Sequence, residues 1–179
     1  MEQALNKNKE AISFVLSTVN EKNIPSSRVL LLRGFNENGF VFFTNFKSAK
    51  SADINNNNNV ALIFYWAEFQ RQVRIVGKAE KVSIKESDNY FNSRPIESKI
   101  GAWISEQSAT IGLYFKFADA MDELESKFRG KKIKRPKHWG GYRVRAGSIE
   151  FWQGRPSRLH DRVKYTFDKE NWEKQRLAP

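Results

Sequence analysis

Ser27-Arg28-Val29-Leu30-Leu31-Leu32-Arg33-Gly34-Phe35-Asn36-Glu37-Asn38-Gly39-Phe40-Val41-Phe42-Phe43-Thr44 is the stretch whose reading decides the fold. Ser27 to Arg33 is a strongly apolar strand with an arginine toward each end. Asn36 to Gly39 closes on an Asn-Gly pair, the strongest short-range hairpin signal, because both residues tolerate the positive φ that tight hairpin turns require. Phe40 to Thr44 then returns as a second strand. Upstream, Ala11 to Val19 reads as a strand followed by a turn at Asn20 to Asn23.

Working downstream, Ser48 can cap a short helix that runs to about Ile54. The run Asn55 to Asn59 reads as a loop, since asparagine side chains compete for backbone hydrogen bonds. Val60 to Trp66 has the continuous β-former composition of a buried strand. Gln72 to Ile84 alternates, with Val73, Ile75 and Ala79 on one face and Arg74, Lys78 and Glu80 on the other, and Gly77 predicts a bulge or bend. Lys85 to Ser93 reads as a helix that stops before Pro95. Phe117, Met121, Leu124 and Phe128 have the spacing of one helix face, ended by Gly130. Strands return at Tyr142 to Ala146, Ser148 to Gln153, Arg162 to Phe167 and Trp172 to Leu177. The pattern predicts a mainly β chain with peripheral helices (α+β), a barrel-like core, and one domain over residues 1–179 with no repeat or linker.

Composition narrows the function classes. The 179 residues are 40% hydrophobic and 28% charged, ordinary for a soluble domain. The longest apolar stretches fall far short of the roughly 20 residues of a membrane span. Met1 to Glu10 is polar and mixed in charge, which predicts no secretory signal and a cytoplasmic location. With no cysteine, there is no disulfide framework, thiolate nucleophile or Cys-based metal site. The net charge of +11 fits nucleic acid, small phosphate esters or a solvated basic surface. The cations are spread along the chain rather than gathered in one arm, so charge alone does not choose among these.

Familiar catalytic signatures are missing: no Gly-x-Gly-x-x-Gly, no phosphate-binding Gly-x-x-x-x-Gly-Lys loop, no Gly-x-Ser-x-Gly elbow. The two histidines, His138 and His160, have no metal-ligand spacing. An enzyme with this inventory needs a cofactor for the difficult step. Arg158-Leu159-His160-Asp161-Arg162, read as an extended chain, sets Arg158, His160 and Arg162 on one face. That face reads either as a pocket wall for an anionic ring or as a solvated edge with ordinary salt bridges. Arg28 and Arg33 can reach phosphates or extend to solvent. Gln107-Ser108, between two helical segments, can hold a phosphate, although a dipeptide carries little specificity.

Taken together, these pieces carry a resemblance. Arg135-Pro136-Lys137-His138-Trp139-Gly140-Gly141-Tyr142-Arg143-Val144, Ile149-Glu150-Phe151-Trp152-Gln153-Gly154, Arg158 to Arg162 and Arg176-Leu177-Ala178-Pro179 closely resemble the carboxyl-terminal signature of pyridoxine 5′-phosphate oxidases. Arg28 to Arg33, Phe43-Thr44-Asn45, Arg71-Gln72-Val73, Tyr90 to Pro95 and Ile100 to Trp103 followed by Ser105, Gln107 and Ser108 are similar to earlier parts of that family. The resemblance runs from about Ala11 to Pro179.

It implies a Greek-key-like FMN-binding split β-barrel and a homodimer with FMN at the subunit interface. Arg28, the backbone of Val29, Leu30, Leu31 and Leu32, Phe43, Thr44, Lys50, Gln72, Gln107, Ser108, Trp152 and Arg162 would hold FMN. Arg33, Tyr90, Arg94 and Ser98 would grip the substrate phosphate, and Arg158 and His160 would cover the pyridine ring and serve catalysis by orientation. The implied reaction oxidises C4′ of pyridoxine or pyridoxamine 5′-phosphate to pyridoxal 5′-phosphate. Hydride passes to flavin N5, and O2 is reduced to H2O2; no metal, nucleic acid or membrane takes part. A related oxidase of phenazine-forming pathways and a non-catalytic FMN or pyridoxal-phosphate holder are the alternatives. Three features differ from the family: an amino-terminal lid expected to be missing or replaced, Ala49 where arginine is common, and Arg33 where lysine is common.

Overall fold

The computed structural model describes residues 12–112 and 115–179. The amino-terminal segment, including Ala11 of the first expected strand, lies outside the described residues. Nine strands and four α-helices follow one another among the described residues. In chain order they are β1 (Ser13–Val19), β2 (Pro25–Leu31), β3 (Gly34–Asn36), β4 (Gly39–Asn45), α1 (Ala49–Asn56), β5 (Asn59–Trp66) and β6 (Arg71–Lys81), then α2 (Ile84–Ser93), α3 (Ile96–Ile104), α4 (Phe117–Phe128), β7 (Trp139–Gln153), β8 (Asp161–Asp168) and β9 (Asn171–Leu177). The sheet order is β2-β1-β5-β6-β7-β4-β3, with β8 paired to β7 and β9 to β8. Non-consecutive neighbours, β1 with β5 and β7 with β4, give the Greek-key-like connectivity. No helix among the described residues is long and apolar enough to cross a membrane.

The chain gathers into two compact units, both discontinuous in sequence. One comprises residues up to 42, 53–80 and 143–179. Its core follows from period-two alternation: β1 buries Phe14, Leu16 and Thr18, and β5 buries Val60, Leu62 and Phe64. Phe14 packs on Phe42 at 5.9 Å and on Phe64 at 5.4 Å between ring centroids. The other unit comprises residues 43–52 and 81–142 and holds α2, α3 and α4. Phe91, Ile100, Ala102, Ile133 and Trp139 form its core, with Met121, Leu124 and Phe128 of α4 packed against them, while Phe117, expected on the same face, is exposed. Ser83 caps α2 by accepting the Glu86 N–H at 3.0 Å.

Several expectations change. The Asn38-Gly39 hairpin forms, but its partner strand is the short β3 rather than β2, which pairs with β1. The strand over Ser27 to Arg33 is not buried: Val29 is 66% and Leu31 41% exposed, while Arg28 turns inward. Its apolar run has no alternation from which a face can be read. Helix α1 continues to Asn56, into the asparagine run, and β5 begins at Asn59. Tyr142 to Ala146 and Ser148 to Gln153 are parts of the single strand β7, since Gly147 does not break it. Gly77 makes no bulge toward β5: Asn59, Val60 and Ala61 face Lys78, Gly77 and Val76 one to one. Glycine is required there because a Cβ would lie 2.0 Å from the Arg145 carbonyl oxygen on β7.

The amino end of β8 is tied to β9 by charge. Asp161 accepts from Arg155 at 2.7 Å and from Arg176 at 3.2 Å. The Arg155 hydrogen bond, reinforced by the charges of Arg155 and Arg176, holds its carboxyl below the usual carboxylate range. A depressed native pKa adds stability that is present above the unfolded value, near 3.9, and is lost as pH falls through the native value. The difference in Tm between the parent chain and Asp161→Asn is therefore expected to be small at neutral pH, because the groups are exposed, and to be lost as pH falls through the depressed pKa of the carboxyl. For the β6–β7 contact, Gly77→Ala is expected to cost about 2–3 kcal/mol in denaturant unfolding. Gly34→Ala, where an added Cβ meets nothing within 4 Å, is expected to stay within about 0.5 kcal/mol.

Candidate active site

The unit of residues 43–52 and 81–142 carries two cationic groups. The first is built on the turn from β4 to α1. Asn45 shapes that turn: its Oδ1 accepts the Lys47 N–H at 2.8 Å, and its carbonyl accepts Ser48 Oγ at 2.7 Å and Ser51 Oγ at 3.0 Å. Ser48, just before α1, thus donates its hydroxyl to the Asn45 carbonyl. Lys50 follows in the first turn of α1, only 6% exposed. Its ammonium donates to Thr44 Oγ1 at 3.2 Å and Gln107 Oε1 at 2.9 Å, and Thr44 Oγ1 donates to Gln107 Oε1 at 3.0 Å. Gln107 stays in reach because Asn45 Nδ2 donates to the Ser105 carbonyl at 2.8 Å. Ser108 follows in the left-handed region at φ 73°. A buried ammonium, a hydroxyl and an amide make a polar set that suits a phosphate monoester. Four residues that the resemblance assigns to FMN are thereby close neighbours in fold or chain, and the set fits the phosphate of that group.

The second group lies where α2 ends. Tyr90 stacks on Phe43 with centroids 4.0 Å apart and 19° between planes. Arg94 caps α2 in extended backbone and lays its guanidinium carbon 4.6 Å from the Trp139 ring centroid. Ser98 sits in the first turn of α3, half-buried. Tyr90, Arg94 and Ser98 are spaced by four residues, yet the helix breaks at Arg94 and Pro95, so they belong to two helices rather than one face.

The other unit holds the remaining candidates. Arg28 is directed inward: it donates to Thr18 Oγ1 at 2.7 Å, Ser26 Oγ at 2.7 Å and the Leu16 carbonyl at 3.3 Å, with Asp53 Oδ2 at 3.9 Å. Burial pushes its pKa down from the ordinary arginine value, and the Asp53 charge works against that. Thr18 in turn donates to Asp53 at 2.6 Å. Val29 to Leu31 run along β2; Leu32 is buried beyond its end, and the Arg33 N–H donates to the Val41 carbonyl at 2.8 Å. Gln72 is half-buried on β6 opposite Tyr65.

Trp152 and Arg162 are register partners across β7 and β8. The Trp152 ring meets His160 at 4.7 Å. Arg162 donates through Nε and Nη2 to Glu150 Oε1, both at 2.9 Å, and through Nη1 to the Ala178 carbonyl at 3.0 Å. The Arg155 backbone N–H donates to His160 Nδ1 at 3.1 Å. A backbone amide can only donate, so the neutral ring carries its proton on Nε2. His160 thus offers a hydrogen-bond donor and has no spare lone pair for a base. Arg158 corrects the expectation of an extended strip. It ends a 3₁₀ turn, Pro156–Arg158, with Ser157 and Arg158 at φ 57° and 62°, and β8 begins only at Asp161. Alternation therefore does not relate Arg158 to His160 and Arg162; the exposed Arg158 is set by the turn.

Three residues escaped the sequence reading. Asp53 and Glu150 are the carboxylates that hold Arg28 and Arg162, and Trp139 is the face under Arg94. Asp53 stands three positions after Lys50, Glu150 reads as one more alternating charge, and Trp139 lies inside the quoted signature. None of these signals names its partner.

Residues 1–128 match the family model described as Pyridoxamine 5′-phosphate oxidase, and residues 139–179 match the Pyridoxine 5′-phosphate oxidase C-terminal dimerisation region. Proteins of Burkholderia mallei and Burkholderia pseudomallei named pyridoxine/pyridoxamine 5′-phosphate oxidase are 51% identical over 173 residues, covering 95% of this chain and 80% of theirs. Among solved structures, PhzG from Burkholderia lata, in complex with tetrahydrophenazine-1-carboxylic acid, aligns with a TM-score of 0.91 at 26% identity, over 98% of this chain and 86% of that one. A pyridoxamine 5′-phosphate oxidase-related, FMN binding protein of Nostoc punctiforme aligns with a TM-score of 0.79 at 18% identity, over 99% and 95%. The expected split barrel is thus the fold. By this identity and this coverage, the chain belongs to the pyridoxine/pyridoxamine 5′-phosphate oxidase family.

Proposed function

We propose that this chain is an FMN-dependent oxidase that converts pyridoxine or pyridoxamine 5′-phosphate to pyridoxal 5′-phosphate, working as a homodimer. The observation that carries the reading is that one compact unit presents two separate cationic groups, Lys50 with Thr44 and Gln107, and Arg94 with Tyr90. Two phosphate monoesters, one of the cofactor and one of the substrate, are what such a pair of groups suits. The family membership and the 51% identity to named oxidases support the same substrates.

Bound FMN would supply the hydride-accepting ring and the reaction with oxygen. The chain's own residues hold and orient. Lys50, Thr44, Gln107 and Ser108 hold the cofactor phosphate; the resemblance assigns Arg28, Gln72, Trp152 and Arg162 to FMN as well. Arg94, Tyr90 and Ser98 fix the substrate phosphate as a remote anchor, so that binding energy away from C4′ goes into placement; the resemblance assigns Arg33 to that phosphate too. His160 donates its Nε2–H toward the pyridine ring, and Arg158 adds a cation beside it. The balance is a two-electron, two-proton oxidation at C4′, with O2 reduced to H2O2; the amine also consumes water and releases ammonia.

The likeness to PhzG, with a TM-score of 0.91, favours a second reading, an oxidase of reduced tricyclic carboxylic acids. Oxygen uptake and product absorbance separate the two. Purified protein loaded with FMN is expected to form pyridoxal 5′-phosphate and peroxide from at least one vitamer phosphate. Turnover of a dihydrophenazine carboxylate with none of either vitamer would replace the reading. For the cofactor cradle, Lys50→Ala is expected to raise the Kd for FMN about 10- to 100-fold, as loss of one charge-assisted contact does. Quenching of FMN fluorescence in a titration measures it.

A further inference from the structure

We propose that Trp139 is a positioning residue for Arg94, and through it sets the enzyme's hold on the substrate phosphate; this rests on the reading of Arg94 as the phosphate grip. Trp139 opens β7 and is buried, at 7% exposure. Its indole lies nearly parallel to Phe43, at 5.5 Å and 11°, and to Tyr90, at 6.1 Å and 9°, and Phe91 meets it edge-on at 5.4 Å. The Arg94 guanidinium carbon stands 4.6 Å from the indole centroid. Indole is the strongest cation–π partner among the side chains, and a planar guanidinium on its face is restrained in both height and tilt.

The backbone of Trp139 is held from two directions. The Trp139 carbonyl accepts from Arg135 Nη1, and its N–H donates to the Pro136 carbonyl at 3.1 Å. Arg135 Nε also donates to Asp88 Oδ1 at 2.6 Å. Asp88 lies on α2, the helix that carries Tyr90 and is capped by Arg94. One arginine thus fixes the backbone of Trp139 to the same helix whose end its ring supports. Tyr90 and Arg94, both assigned to the substrate phosphate, share this one aromatic support, so its loss acts on substrate affinity before it acts on chemistry.

A double-mutant cycle tests this, with steady-state oxidation of pyridoxine 5′-phosphate, FMN titration and Tm on each FMN-loaded variant. Trp139→Leu is expected to raise KM about tenfold, with kcat within about twofold and FMN affinity unchanged; Trp139→Phe is expected to raise it about threefold. In an Arg94→Ala background, Trp139→Leu is expected to add less than about twofold. An unchanged KM in the Trp139 variants overturns the proposal. So does a full tenfold loss in the Arg94→Ala background, or an equal loss of kcat and FMN. If Trp139→Leu does not fold, the same cycle with Trp139→Phe decides, and a KM rise that persists undiminished without Arg94 overturns it. Should Arg94→Ala by itself leave KM unchanged, the assignment of Arg94 falls first and Trp139 falls with it.

Discussion

The side chain and carbonyl of Asn45 fix one sharp turn, and the more specific chemistry of the helical unit depends on it. Hydrogen bonds from Lys47, Ser48 and Ser51 and to Ser105 meet on this one residue. The buried backbone groups of the turn need partners, and supplying them locally leaves the chain no freedom in how β4 leads into α1. Thr44 on one side of the turn and Lys50 on the other then meet over Gln107, which the bond to Ser105 keeps near. A buried ammonium with its hydrogen bonds already arranged is costly to make and well prepared for an anion.

The same logic of prior arrangement runs through the arginines. Arg28 is held by Thr18 and Asp53, Arg162 by Glu150 and the Ala178 carbonyl, and Arg135 by Asp88 and the Trp139 carbonyl. Each guanidinium has five N–H donors in a planar fork, so one edge can be anchored while another faces a ligand. Arg94 also lies on an aromatic face, that of Trp139. His160 belongs to the same scheme, since the Arg155 amide fixes which nitrogen carries the proton. The protein's contribution is thus orientation, as befits a site where a cofactor would carry the electron transfer.

Much of the fold was legible in the sequence. The strands over Val60 to Trp66 and Trp172 to Leu177, the helix over Phe117 to Phe128 and the hairpin at Asn38-Gly39 emerge close to where local pattern predicts them. Errors cluster where a local signal has two causes. Gly77 was read as a bulge or bend; it pairs with β5 without a bulge and makes a close approach to Arg145 on β7, and either cause leaves the same glycine in the chain. Arg158 was read on a strand, but Pro156 and the positive φ at Ser157 and Arg158 belong to a turn that alternation cannot register.

Periodicity, turn chemistry and a long family signature are local properties, and from them the sequence by itself determined the mainly β class, the order of elements and the candidate residues. Which face of β2 turns inward, and which carboxylate meets which arginine, was decided only by tertiary structure. Asp53 meets Arg28 from 25 residues away, and Asp88 meets Arg135 across 47. Such pairs form because partly buried charges must be compensated wherever the fold brings them together, and no spacing along the chain encodes that meeting.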